Sequence, residues 1–200
     1  MSNVHLLFPT PLYESFIKVK STWITYVKNL KYKRTTSGDA WITSDINILK
    51  HQSLSDLHDV IKSKIEDFAY GNLGVAKHVK IKIVRSWVMK HNFNDSALRH
   101  YHSNSIFSGI YYLEVFPDSG NVVFEKSEHY PNCFMSTFQP DIETQNQINT
   151  RVASIQPLNG TLLIFPSQVL HRVEKNNTRN DRYCIAFDAF VENQLVTDGL

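Results

Sequence analysis

Two periods divide the chain. Between Ser53 and Gly74, apolar side chains recur at helical spacing: Leu54, Leu57, Val60, Ile61, Ile65 and Phe68. Spacings of three and four predict an amphipathic helix. Ser53 and Asp56 resemble a capping box with Asp in place of the usual Glu, and Gly71 and Gly74 supply the stop. A shorter helix is predicted after Ser21 or Thr22, either of which can cap it, with Trp23, Ile24, Val27 and Leu30 on one face. Past Gly74 the period drops to two. Val79, Ile81, Ile83, Trp87 and Met89 alternate along 79–91, broken on that face only by Arg85. Further strands are predicted over 106–116, 121–125, 151–156, 161–166, 169–174 and 182–191, with turn signals at 117–120, at Gly160 and at Pro166 and Ser167. Residues 126–149 carry no strong period and read as a long excursion, polar enough to be expected to move. Seven or eight strands with no helix after Gly74 predict a mainly β fold with N-terminal helices, closed as two antiparallel layers or a jelly roll.

Length adds the expectation of one domain. A chain of 200 residues can bury a sizeable core. Residues 1–75 would form a mixed helical support region packed against one sheet, and 76–192 the β core. Hydrophobic residues are 42% and charged residues 20% of the chain, which excludes collagen-like and low-complexity disordered classes. Aromatics at 12% suit a β-rich core. The net charge of +2 implies no dominant basic patch, so a nucleic-acid partner is disfavoured. Cys133 and Cys184 make neither a disulfide framework nor a CxxC pair. Residues 1–10 lack a basic region followed by a long apolar one, and no apolar run approaches membrane-spanning length. A cytoplasmic location in a reducing compartment is expected.

Chemistry enters with the histidines. His5, His51, His58, His78, His91 and His129 are scattered and need no role beyond packing or the surface. His100-Tyr101-His102 differs, because residues two apart on a strand point to the same side and both imidazoles can converge on a metal. His171 follows the apolar run Leu162-Leu163-Ile164-Phe165 near the start of another strand. The polar stretch from Lys175 to Asp181 reads as a hairpin loop. If it is symmetric about Asn176 and Asn177, His171 and Arg182 lie roughly opposite each other on neighbouring strands. A cation beside a metal-bound imidazole makes sense where an anionic cosubstrate bridges the two. The bland alternative for Arg182 is a surface cation on an edge strand.

The series His100-Tyr101-His102, Ser108-Gly109-Ile110-Tyr111-Tyr112-Leu113, Gly160-Thr161-Leu162-Leu163-Ile164-Phe165-Pro166, His171 and Arg182-Tyr183 resembles the 2-oxoglutarate and Fe(II)-dependent dioxygenases. Within them it is most similar to the small members found in marine phages and bacteria, whose amino terminus Leu7-Phe8-Pro9-Thr10-Pro11-Leu12-Tyr13 also resembles. That resemblance implies a double-stranded β-helix of the jelly-roll, cupin-like kind. It implies Fe(II) held by His100 and His171, and 2-oxoglutarate whose C5 carboxylate meets Arg182 and Tyr112, although Tyr112 can equally be a core aromatic. The third ligand position is His102, where most of the superfamily places a carboxylate; three neutral imidazoles leave the site one negative charge short. Asp95, Glu114 or Asp181 is the fallback for that ligand. Cys184 stands where many members have a Ser or Thr hydroxyl supporting the cosubstrate, and a thiol is the weaker donor.

The function implied is an oxidoreductase that consumes 2-oxoglutarate and O2 and hydroxylates a further substrate in the cytoplasm, or in the host cytoplasm if phage-encoded. Peptidyl proline or asparagine, a nucleobase and a small metabolite all remain open as that substrate. Two alternatives come from other classes: a non-catalytic jelly-roll module that binds a metal or ligand, and a structural protein in which the histidine pair is packing.

Overall fold

A computed structural model describes residues 2–35, 39–127 and 140–192. In chain order its elements are β1 (Tyr13–Phe16), α1 (Ser21–Lys28), β2 (Tyr32–Arg34), β3 (Trp41–Thr43), α2 (Ser55–Glu66), β4 (Ile81–His91), β5 (Ala97–His100), β6 (Phe107–Glu114), β7 (Val122–Glu125), β8 (Val152–Ile155), β9 (Thr161–Pro166), β10 (Leu170–Val173) and β11 (Arg182–Val191). Eight of these strands follow Gly74, with no helix among them in the described residues. They close into two antiparallel sheets. The larger runs β1-β9-β6-β11-β4-β3-β2 and the smaller β5-β10-β7-β8, the jelly-roll arrangement expected.

Strands β6, β9 and β11 lie inside the larger sheet and are buried on both faces, which is why they read as nearly continuous apolar runs. One face packs against the helices. Trp23 and Val27 of α1 and Leu57, Ile61 and Ile65 of α2 cover Tyr111, Leu113, Leu162, Ile185 and Phe187. The other face turns Ile110, Tyr112, Leu163, Phe165 and Cys184 toward Val122 and Phe124 of the smaller sheet. The site lies on this second, inner face.

Several local expectations are corrected. Helix α2 begins at Ser55, after a 3-10 turn over Gln52–Leu54, and has no capping box. His51 Nδ1 accepts the Ser53 N–H instead, at 3.2 Å. Asp56 is drawn off to accept from Trp23 Nε1 at 3.0 Å and to pair with Lys20, which ties α2 to α1. Val60 faces solvent. Helix α1 starts at Ser21 with Lys20 at the cap position and no side-chain cap.

In β4 the apolar positions do not share one face. The β4–β11 register shifts between Asp188 and Ala189, opposite Arg85 and Ile83, so Val84 is the extra residue of a bulge. Ile81 and Ile83 therefore pack on the helix side, while Trp87 and Met89 line the inner cavity. Arg85 is not an interruption but the start of the inner face.

The hairpin expected between His171 and Arg182 does not form. Strand β10 pairs with β5 and β7 in the smaller sheet, and β11 with β4 and β6 in the larger one. The intervening loop crosses between sheets, anchored by buried Asn176, whose Nδ2 donates to His91 O at 2.9 Å and Asn180 O at 2.8 Å. In the 126–149 excursion, residues 128–139, and with them His129 and Cys133, lie outside the described residues. Residues 13–43 lend β1 to one edge of the larger sheet and β2 and β3 to the other, beyond the helices read from the sequence.

Candidate active site

His100 closes β5 and His171 lies in β10, and the two are direct cross-strand partners. Paired residues of an antiparallel ladder project to the same face, so the imidazoles meet, with ring centroids 4.3 Å apart. His102 is not on a strand. It sits in the loop after β5, where its backbone N–H donates to Ser167 O at 2.9 Å and its ring stacks near Trp87 at 5.9 Å. The ligating atoms of the three histidines lie within 4.8 Å of one another.

Each ring is held by its Nδ1. That atom is 2.7 Å from Leu98 O in His100, 3.0 Å from Val169 O in His171 and 2.6 Å from Asp188 Oδ1 in His102. A carbonyl oxygen can only accept, so Nδ1 of His100 and His171 carries the proton and Nε2 keeps its lone pair. Burial lowers His171 to about 3, helped by the neighbouring imidazoles and opposed by the bond to Val169 O. His100 is lowered as well, first by desolvation of its ring. Neutral imidazoles with free Nε2 atoms are the form that ligates a divalent metal, and three of them in this proximity fit Fe(II).

The opposite wall comes from the larger sheet. Arg182 opens β11 and its cross-strand partner is His91, the last residue of β4. Arg182 is fully buried. Its Nη1 donates to Ser119 O at 2.7 Å and Gly120 O at 2.9 Å, while Nε and Nη2 have no partner among the described residues. The Tyr112 hydroxyl and both ring nitrogens of His91 are likewise buried and without a partner among the described residues. Burial raises Tyr112 above its ordinary value and holds His91 well below its own, so each is neutral. An unpaired buried polar group costs about 1–3 kcal/mol. Three such side chains in one cavity are therefore a standing cost that an anionic ligand would remove.

Arg182, Tyr112 and His91 line the same cavity as the three histidines, together with the apolar walls Trp87, Met89 and Phe165. It measures about 520 Å³ counting its open mouth. Cys184 also lines it, with burial pushing its thiol up to about 11, so it is a neutral, weak donor.

The fallback carboxylates are engaged elsewhere. Asp95 accepts the Asn92 N–H at 2.8 Å and pairs with Arg34 at 2.9 Å, Glu114 pairs with Lys28 at 2.6 Å, and Asp181 with Lys90 at 3.2 Å. None lines the cavity. The carboxylate that does touch one of the three histidines is Asp188, which sequence reasoning passed over. The signal was present: it is the one acidic residue of the apolar run 182–191, at even spacing from Arg182, and Asp is rarely buried without a partner. Burial opposes its ionisation, but the hydrogen bond to His102, then Ser108 and Arg85, hold it below the ordinary carboxylate value. His91 was passed over too, and only its place on the inner face after Trp87 and Met89 pointed to it.

A family model described as "Putative 2OG-Fe(II) oxygenase" matches residues 85–188, just over half of the chain. Solved structures share the fold at low identity. An oxidoreductase of the 2OG-Fe(II) oxygenase family from Burkholderia pseudomallei has 13% identity and a TM-score of 0.61, over 89% of this chain and 84% of that one. A prolyl-4-hydroxylase from Pseudomonas putida has 11% identity and a TM-score of 0.59, over 92% and 94%. HygX from Streptomyces hygroscopicus, solved with nickel, 2-oxoglutarate and hygromycin B, has 10% identity and a TM-score of 0.61, over 90% and 82%. No curated protein matches the chain.

Proposed function

The chain belongs to the 2OG-Fe(II) oxygenase family, and from that membership we propose that His100, His102 and His171 hold Fe(II) while Arg182, Tyr112 and His91 take the C5 carboxylate of 2-oxoglutarate. As a member it is an oxidoreductase that uses Fe(II), 2-oxoglutarate and O2 on a further substrate. When bound, Fe(II) with 2-oxoglutarate supplies the activation of O2, one oxygen atom entering the cosubstrate as it loses CO2 to become succinate and the other going to a substrate C–H bond. Hydroxylation is the outcome we assign.

One observation carries the residue assignments: the cavity has three convergent imidazoles on one wall and unpartnered buried donors on the other. Nη2 and Nε of Arg182 form the planar fork that a carboxylate accepts from. Tyr112 and His91 add neutral donors beside it. Ser119 and Gly120 hold the guanidinium from behind, so its direction is set before the cosubstrate arrives. Trp87, Met89 and Phe165 supply apolar walls to the same space.

The test is anaerobic titration of the protein with Fe(II) and 2-oxoglutarate, followed by O2. A weak visible charge-transfer band that needs both additions, then stoichiometric succinate after O2, is the expected result. Tight metal binding with neither 2-oxoglutarate binding nor succinate would leave a metal-binding jelly roll and overturn the proposal.

A further inference from the structure

Asp188 is fully buried in the middle of β11. It stands between Arg85 of β4 and Ser108 of β6, its register partners on either side. Its two oxygens are divided. Oδ1 accepts from Ser108 Oγ at 2.8 Å and lies 2.6 Å from His102 Nδ1. Oδ2 accepts from Arg85 Nη2 at 2.5 Å. Ser108 is held in turn by Ser167 at 2.9 Å, whose backbone oxygen receives the His102 N–H. The β4 bulge turns Arg85 onto this face.

Resting on the metal-site reading above, we propose that Asp188 is the positioning residue of the three-histidine centre. Its carboxylate fixes His102 with Nδ1–H turned away from the site and Nε2 toward it. It also brings to the centre, one hydrogen bond removed from the metal, the negative charge that none of the three ligands carries. The carboxylate expected at the ligand position is not lost from this protein but moved behind the ligand.

The division of the oxygens predicts what an amide would do there. Arg85 can only donate, so Asn at 188 must turn its oxygen to Arg85 and its NH2 to His102. His102 would then accept at Nδ1 and carry its proton on Nε2, the atom required as the ligand. The consequence is a change of tautomer, not a loss of packing.

The experiment pairs 15N-imidazole NMR of the metal-free protein with Co(II) titration. In the wild-type protein His102 should be the Nδ1–H tautomer. In Asp188→Asn it should become Nε2–H, with Co(II) affinity 10- to 100-fold lower. Arg85→Met combined with Asp188→Asn frees the amide to turn its oxygen to His102 and should recover much of that loss. Ser108→Ala removes a neighbouring donor without reversing any, and should leave the tautomer unchanged. An Nε2–H His102 in the wild type overturns the proposal outright, whether or not the variants fold. Unchanged tautomer and unchanged Co(II) affinity in Asp188→Asn overturn the role of Asp188 and leave the metal site standing. A wild-type protein that binds no Co(II) overturns the metal-site reading itself, and this proposal with it.

Discussion

Arg182 is the residue whose removal separates the two halves of the cavity. If Arg182 holds the C5 carboxylate of 2-oxoglutarate as proposed, Arg182→Ala leaves that carboxylate confined without its counter-ion, a loss of about 2–5 kcal/mol for a buried charge pair. That is roughly 30- to 5000-fold in 2-oxoglutarate affinity, with metal affinity nearly unchanged. Calorimetry on the anaerobic Mn(II) protein reads both. Arg182→Lys should recover only part, because an ammonium lacks the planar fork. Tyr112→Phe and His91→Phe each remove one neutral donor and should cost about tenfold or less. Equal 2-oxoglutarate affinity in folded Arg182→Ala protein would sink the anchor assignment. That His100, His102, His171, Tyr112 and Arg182 would meet in one cavity was legible in the sequence, because each sits in a motif with a local signature and the order of motifs carried the rest. Asp188 stood out only as an acid in an apolar run; its pairing was not legible, because His102 is 86 positions away and no local period says which strands will be neighbours.

Among the elements, β6 is the one least able to change. A Cβ on Gly109 would sit 2.2 Å from Phe187 Cζ and 2.8 Å from the Leu163 carbonyl oxygen, a ring on one side and backbone on the other. Neither can retreat far, so Gly109→Ala should cost about 1–3 kcal/mol, read as a lower urea midpoint at unchanged slope. An unchanged midpoint would mean that the β6–β11 packing is looser than these distances. Strands β6, β9 and β11 were legible because burial on both faces writes itself as an apolar run. Strands β2 and β3 are three residues each, too short to display a period. The β4 bulge was hidden for a related reason: a run of alternate apolar residues looks the same whether or not one extra residue shifts it to the other face.

For the whole molecule, acid is the natural stress. His171 is held at about 3 against an ordinary 6.5, so between those values the unfolded chain binds a proton that the folded one refuses. Stability is therefore full above pH 6.5 and falls as pH drops toward 3, by about 2 kcal/mol from His171 alone at pH 5. His91 is shifted in the same direction. Melting of the metal-free protein between pH 7 and 5 should show the loss, and His171→Phe should reduce it; a flat wild-type profile would contradict the burial of these rings. No helix among the described residues is long and apolar enough to cross a membrane. One further consequence follows from the two walls of the cavity. Metal would be gripped by β5 and β10, and the cosubstrate by β11, strands of different sheets. A chelate touching both is a strut between plates that side-chain packing and a few hydrogen bonds, such as those from Arg182 to Ser119 and Gly120, already join. The plate with most to gain is the smaller one, since β5 is one of its two edge strands and is mostly exposed. Amide hydrogen exchange in β5 should then slow more with metal and 2-oxoglutarate together than with the sum of either alone, the active site acting as a brace for the fold that built it.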